Sequence, residues 1–223
     1  MKKIEKKCNL SSVYKEWEEQ FEKNKFNHPT YNSSKNEFYW DVVMNLFHCQ
    51  EGLCAYTEMR ICNKKYLDDK IWVSGKYNLK AGKPEIAGQL EHFDRSLKPN
   101  KGWLWDNLFM VETNVNTKVK LISEVDVLHK PDSKGYDEFN LLEYNSKMNI
   151  FIANTSLNKV KQNRINKMII TLGLNFDPVK EQRRIYLEDK LKMIELKVED
   201  WETINIEQFP TAFKMIKQQM LGN

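Results

Sequence analysis

Apolar residues recur at four-residue steps near both ends of this chain and lose that rhythm in the middle, and this contrast sets the fold class. In SSVYKEWEEQFEKNK, residues 11–25, Val13, Trp17 and Phe21 mark one face of a helix whose start the serines can cap. NEFYWDVVMNLFHCQ, residues 36–50, repeats the pattern with Phe38, Val42 and Leu46 beside Trp40, Met44 and Phe47, and Gly52 stands where that helix should stop. Towards the other end, SLNKVKQNRINKMIITLGLN, PVKEQRRIYLEDKLKMIEL and IEQFPTAFKMIKQQML predict three more helices, with Thr155 or Ser156 as a cap and Pro178 at a start. Between these blocks, LCAYTEMRIC, GQLEHF and NIFIANTS have the alternating, aromatic or β-branched character of short strands. The expectation is an α+β protein with a helical region at 1–52 and a compact β-containing centre at 53–122. Residues 123–223 follow as a loop, a strand and helices packed with that centre as one domain.

A chain of 223 residues can bury a core without disulfides. Its net charge is only +4, so attraction to a polyanion must come from local patches. The start, MKKIEKKCNLSSVYKEW, carries lysines with no apolar run behind them, unlike a secretory signal. No stretch approaches the ~18 apolar residues of a membrane span, so a cytoplasmic location and reduced cysteines are expected. Cys8, Cys49, Cys54 and Cys62 form no C-x-x-C pair. KKYLDDKIWVSGKYNLKAGKPE, residues 64–85, is a basic hairpin or loop; a solvated surface ribbon is the first reading and an arm for a nucleic-acid backbone the alternative.

The centre contains QLEHFDRSLKPNKGWLWDNLFMVETNVNTKVK, residues 89–120. Glu91 and His92 end a predicted strand, a loop with Asp94, Lys98, Pro99, Asn100 and Gly102 follows, and WLWDNLFMV returns before a short helix at TNVNTKVK. On residue chemistry alone, a strand histidine with capping asparagines is one reading. The ordered set Glu91-His92, Asn107-Leu108 and Asn116, nine positions on, resembles the HNH endonucleases, whose ββα-metal centre has acid-His, Asn-Leu and a final His or Asn ligand in this order. The resemblance implies a ββα-metal centre in a mainly helical protein. It makes His92 the general base and Asn107 the brace of the histidine-bearing loop, with Glu91 and Asn116 as ligands of one divalent cation. Oxygen donors favour Mg2+ or Mn2+, and phosphodiester hydrolysis suits a neutral imidazole with an ordinary pKa near ~6.5. Arg95, Lys118 and Lys120 are candidates for contacts with substrate phosphates.

A narrower resemblance runs from about residue 53 to 190. LCAYTEMRI, LEHF, GWLWDNL, NVNTKVK, NKMIITLGLN and EQRRIYLEDKL follow the block order of PtuB, the HNH subunit of Septu anti-phage systems, which also occurs with retrons. It implies a nuclease acting on DNA or RNA, transfer RNA included, beside a PtuA-like ATPase, with a retron reverse transcriptase and its msDNA as further candidates. The family's structural zinc clamp uses four cysteines; here Cys54 remains while Thr57, Glu112 and Val115 occupy the other places. One cysteine cannot hold zinc tetrahedrally, so structural zinc is not expected and Tyr56, Trp103, Trp105 and Leu108 are expected to support the centre by packing. A rival clamp of His48, Cys49, Cys54 and Cys62 is the alternative for zinc, Glu58 is an orienting group at most, and a catalytically silent binding subunit is the alternative for function.

Overall fold

The computed structural model describes residues 1–8, 10–33, 35–120, 123 and 125–222. The chain separates into two compact units, Ile4–Ala55 with Arg60–Asn116, and Met1–Lys3 with Tyr56–Met59 and Thr117–Asn223. The helices of 1–52 therefore share a unit with the β centre, and the division follows packing instead of the punctuation at Gly52. The expected boundary at Ile122 lies outside the described residues. Among the described residues, three two-stranded antiparallel sheets sit among helices, an α+β content, and no helix is long and apolar enough to cross a membrane.

The first unit contains α1 (Ser12–Asn24), α2 (Tyr39–Cys49), the hairpin β1 (Trp72–Val73) and β2 (Lys76–Tyr77), then β3 (Gly88–His92), α3 (Lys98–Lys101) and β4 (Leu108–Glu112). On α1 the fully buried positions are Tyr14 and Glu18. Trp17 is half-buried in an aromatic layer, 5.0 Å from both Phe21 and Phe38. The buried face lies one residue along from the apolar row because the Tyr14 hydroxyl and Glu18 carboxylate find backbone partners. α2 buries Asp41 through Phe47. It ends with Glu51 at φ 57 and Gly52 at φ 75. A Cβ on Gly52 would lie 2.6 Å from the Cys62 carbonyl oxygen, so both conformation and space require glycine there.

LCAYTEMRIC does not form the expected strand. Its pairing shrinks to single bridges, Leu53 with Arg60 and Cys62 with Ile86, because the backbone leaves the extended region at Glu58, φ 62. β4 is edged instead by a side chain: Gln50 donates to the Met110 carbonyl at 2.8 Å and accepts from the Met110 N–H at 2.9 Å, satisfying both peptide groups as a strand would.

The second unit contains α4 (Glu138–Leu141), the hairpin β5 (Leu142–Asn145) and β6 (Ile150–Ala153), then α5 (Lys159–Thr171), α6 (Asp177–Glu195) and α7 (Pro210–Leu221). NIFIANTS supplies β6. β5, hidden in LLEYN, has no clear sequence signal. Thr155 does not cap α5: its N–H and hydroxyl both donate to Glu143 at 2.8 Å. Asn158 caps that helix, accepting from the Lys161 N–H at 3.0 Å. Arg183 is fully buried at the centre, donating to the carbonyls of Leu174 at 2.8 Å and Asn149 at 3.0 Å, with its guanidinium over Phe151 and Tyr144. Burial pushes its pKa down from the ordinary value, while carbonyl dipoles and aromatic faces offset the desolvation of the cation.

Candidate active site

β3 and β4 pair antiparallel, with His92 opposite Leu108 and Gly88 opposite Glu112. The loop 93–107 therefore leaves and returns at the histidine end. His92 is 3% exposed, its Nε2 is 2.8 Å from the Gly102 carbonyl oxygen, and its ring meets Tyr31 edge-on at 4.7 Å between centroids. A carbonyl only accepts, so Nε2 carries the proton and Nδ1 is the basic nitrogen of the neutral ring. Gly102 owes its identity to space: a Cβ there would lie 2.8 Å from the Lys98 carbonyl oxygen and 2.9 Å from the Tyr31 Cβ.

The loop is fixed at both ends and along its length. Asn107 accepts from the Asp94 N–H at 2.7 Å and donates to the Asp94 carbonyl at 2.8 Å, while the Phe93 N–H donates to the Asn107 carbonyl at 2.9 Å. One face of α1 presents Tyr14, Glu18 and Glu22 at four-residue steps. The Tyr14 hydroxyl donates to the Trp103 carbonyl at 2.6 Å, Glu18 accepts from the Trp105 N–H at 2.7 Å, and Glu22 pairs with Lys101 at 2.7 Å. Lys6 donates to the Leu108 carbonyl at 2.9 Å and also bonds the Trp105 carbonyl. These fastenings hold the Gly102 carbonyl, and hence the imidazole, in a set direction.

At the far end of the hairpin the chain enters a π-helical turn, Val115–Lys120. The Glu112 carboxylate accepts from the Val115 N–H at 2.8 Å and from the Asn114 amide at 3.0 Å, and the Glu112 N–H donates to the Cys54 sulfur at 3.3 Å. Asn116 donates to Gln89 Oε1 at 3.3 Å. Gln89 and Glu91 leave the same face of β3, whereas alternation sends His92 to the other. Asn116 thus joins the glutamate face, while Tyr31 lies against His92. Its ring touches His92, and its hydroxyl is pushed above the ordinary tyrosine range by burial first, then by Tyr39 and by the charge of Glu91.

Of the site residues picked from sequence, Glu91, His92, Asn107 and Asn116 are all placed by this hairpin and its following turn. Arg95 is exposed in a short turn after His92. Lys118 and Lys120 fall in the other unit; Lys118 is exposed, but Lys120 is 1% exposed. The expected contact between Lys120 and a phosphate is corrected accordingly, since an ammonium sealed from solvent cannot meet a polyanion at the surface. Tyr31, Glu18 and Gly102 were not read from sequence. Tyr31 lies in a polar stretch without periodicity, and nothing local marks it.

Trp103, Trp105, Leu108 and Tyr56 are all buried. The four groups of the rival zinc clamp are engaged separately. His48 lies 3.5 Å from Asp69, Cys49 donates to the Lys7 carbonyl, Cys62 to that of Asn63, and Cys54 accepts from Glu112. Among the described residues no three His, Cys, Asp or Glu side chains gather as a metal cluster, so a cation here would rest on a carboxylate with amide oxygens. The residues fit such a small hard cation in kind: Asn116 uses its amide nitrogen on Gln89, so its oxygen would be the atom to ligate, and Glu91 would supply the carboxylate.

No protein-family model matches the chain, and no curated protein matches its sequence.

Proposed function

We propose that the hairpin 88–112 with its following turn is the catalytic centre of a metal-dependent HNH-type nuclease that hydrolyses phosphodiester bonds. The observation that carries this reading is the fixed imidazole: a buried histidine at a strand exit whose Nε2–H is committed to a backbone carbonyl, in a loop fastened by Asn107 and by three residues of α1. In this reading Nδ1 of His92 takes the proton of the attacking water, and Asn107 keeps the loop from rotating the ring away. Glu91 and Asn116 would hold Mg2+ or Mn2+, which when bound supplies positive charge against the developing negative charge on phosphate. On the resemblance, the proposal extends to a role in anti-phage defence beside a PtuA-like ATPase, which co-expression and co-elution with such an ATPase would test.

Incubating the purified chain with plasmid, linear DNA and total RNA in Mg2+ or Mn2+ tests the centre. Cleavage that falls by about 100-fold or more in His92→Ala supports the reading, and full activity of that variant overturns it. A second reading, a silent subunit that binds without cutting, is favoured by one observation: alternation along β3 sends Glu91 and His92 to opposite faces. Titration with Mn2+ in the presence of uncleaved DNA separates the two, since the silent subunit shows no saturable metal binding that Glu91→Ala abolishes.

A further inference from the structure

The exposed face of α5 is electrostatically unlike the other long helices. Residues 144–176 contain Lys147, Lys159, Lys161, Arg164 and Lys167 and no aspartate or glutamate. In the first half of α6 the exposed cations are answered by acids: Arg184 lies 2.6 Å from Glu181 and 2.7 Å from Glu188, and Lys180 lies 2.8 Å from Asp177. On α5, Lys159, Lys161 and Lys167 have no acidic partner among the described residues, and Arg164 reaches only Asp126, at 3.9 Å. Lys161, Arg164 and Lys167 stand at three-residue steps, so like charges are neighbours, and Lys159 and Lys161 occupy the first turn, where the helix dipole disfavours cations. Such a face lowers the helix's own stability and gains from an anionic partner.

The partner's class follows from the rest of the helix. Of its apolar residues Ile165, Met168 and Ile169 are buried within the unit, while Val160 and Ile170 are exposed but stand ten positions apart with the cations between them, so no continuous apolar stripe remains to enter a lipid surface. It has no aromatic side chain on which unpaired bases could stack. Asn163, an exposed amide that can hydrogen-bond a base edge, has Lys159 and Lys167 one turn to either side and Arg164 next to it, with Lys161 further round the helix. Thirteen residues of helix span about 20 Å and fit the major groove of B-form DNA, about 12 Å wide, but not the deep, narrow groove of duplex RNA. We propose that the outward face of α5, with Lys159, Lys161, Arg164 and Lys167 around Asn163, docks into the major groove of duplex DNA. This surface does not depend on the hairpin centre.

The test is fluorescence anisotropy of the full-length protein with labelled 20-bp DNA, the same sequence as duplex RNA and as single-stranded DNA, and anionic phospholipid vesicles, all in EDTA so that cleavage plays no part. Duplex DNA should bind tightest. Lys159→Glu/Lys161→Glu/Lys167→Glu should weaken it at least tenfold and lower the slope of log affinity against log salt by about 2 to 3. A matched reversal at exposed lysines elsewhere, Lys192→Glu/Lys197→Glu/Lys214→Glu, should cost less than threefold. If the reversed α5 misfolds by circular dichroism, the glutamine triple variant at the same positions takes its place, with at least a threefold loss expected. Equal losses in the matched control, unchanged affinity in the α5 variants, or α5-dependent binding to vesicles or RNA in preference to duplex DNA would overturn the proposal. Because binding is read without catalysis, DNA that binds through α5 and is never cut would count against the nuclease reading alone.

Discussion

Replacing Asn107 by aspartate exchanges one buried amide nitrogen for oxygen and tests how the histidine loop is held. Asn107 is 4% exposed and satisfies both peptide groups of Asp94, at 2.7 Å and 2.8 Å. At pH 7 the aspartate keeps the acceptor but loses the donor, leaving a carboxyl oxygen against the Asp94 carbonyl. A buried group deprived of its partner costs about 1–3 kcal/mol, and discouraged ionisation adds to it, so the variant should lose about 2–4 kcal/mol of a total near 5–15 kcal/mol. Acid reverses part of this. Burial and the facing carbonyl raise the new carboxyl's folded pKa above its unfolded value, so protonation restores the donor. The restored stability is fully present below the unfolded pKa and is lost as pH rises through the folded one. Asn107→Ala loses both bonds and cannot recover. Urea unfolding of native, Asp and Ala proteins at pH 7 and pH 5, with hydrogen exchange at the Phe93 and Asp94 amides to localise the effect, gives the comparison. An Asp deficit that stays constant or grows on acidification, or one below about 0.5 kcal/mol, would refute the clamp as the source of rigidity.

Gly102→Ala should displace the carbonyl that accepts from His92, given the 2.8 Å and 2.9 Å approaches of its new Cβ; the histidine's ring-proton resonance should shift and cleavage should drop at least tenfold, whereas an unmoved resonance would separate the glycine from the imidazole. Glu18→Ala leaves the Trp105 N–H without its acceptor and should cost about 1.5–3 kcal/mol in thermal or urea unfolding, and Glu18→Gln, which keeps an acceptor, about half of that; equal costs would remove the charge-assisted bond from the account. Burial pushes the Cys8 thiol up to about 12 and that of Cys62 up to about 11. At pH 8 both should therefore be thiolate at no more than about one part in a thousand and react with a disulfide reagent at least ~100-fold more slowly than in urea. A fast phase assigned to either by mass spectrometry would contradict that.

The helices were legible because burying one face of a helix imposes a period on the sequence, and the rows in 11–25 and 36–50 became α1 and α2 within two or three residues. GQLEHF was legible as a strand from its apolar and polar alternation and became β3, although the fold buries Leu90, Glu91 and His92 in succession. What the periodicity missed was which positions carry polar work. Tyr14 and Glu18 sit one step from the apolar row of α1, and a row of side chains that hydrogen-bonds backbone almost ninety positions away looks, in sequence, like a solvated face. LCAYTEMRIC misled because composition favours a strand while a single left-handed residue, Glu58, breaks it.

The residues that fix the β3–β4 hairpin with its loop and the β5–β6 hairpin share a device that no local pattern could reveal. Gln50 pairs with both peptide groups of Met110, Asn107 with both of Asp94, and Asn175 with both of Phe151, the last at 2.8 Å and 2.7 Å. A carboxamide presents a donor and an acceptor side by side, as a peptide edge does, so one side chain can end a two-stranded sheet without a third strand. Two-stranded hairpins are marginal alone, and two of the three here, β3–β4 and β5–β6, gain such closure. The turn after β4 also opens on an acid. Glu112 fastens Val115 and its own N–H rests on the Cys54 sulfur, so the start of the helix that bears Asn116 is held by hydrogen bonds. Glu112→Gln, which keeps one acceptor, should therefore loosen Asn116 less than Glu112→Ala does, and hydrogen exchange at the Val115 amide measures the difference. Equal protection in both variants would mean that packing around Val115, not the carboxylate, sets the turn.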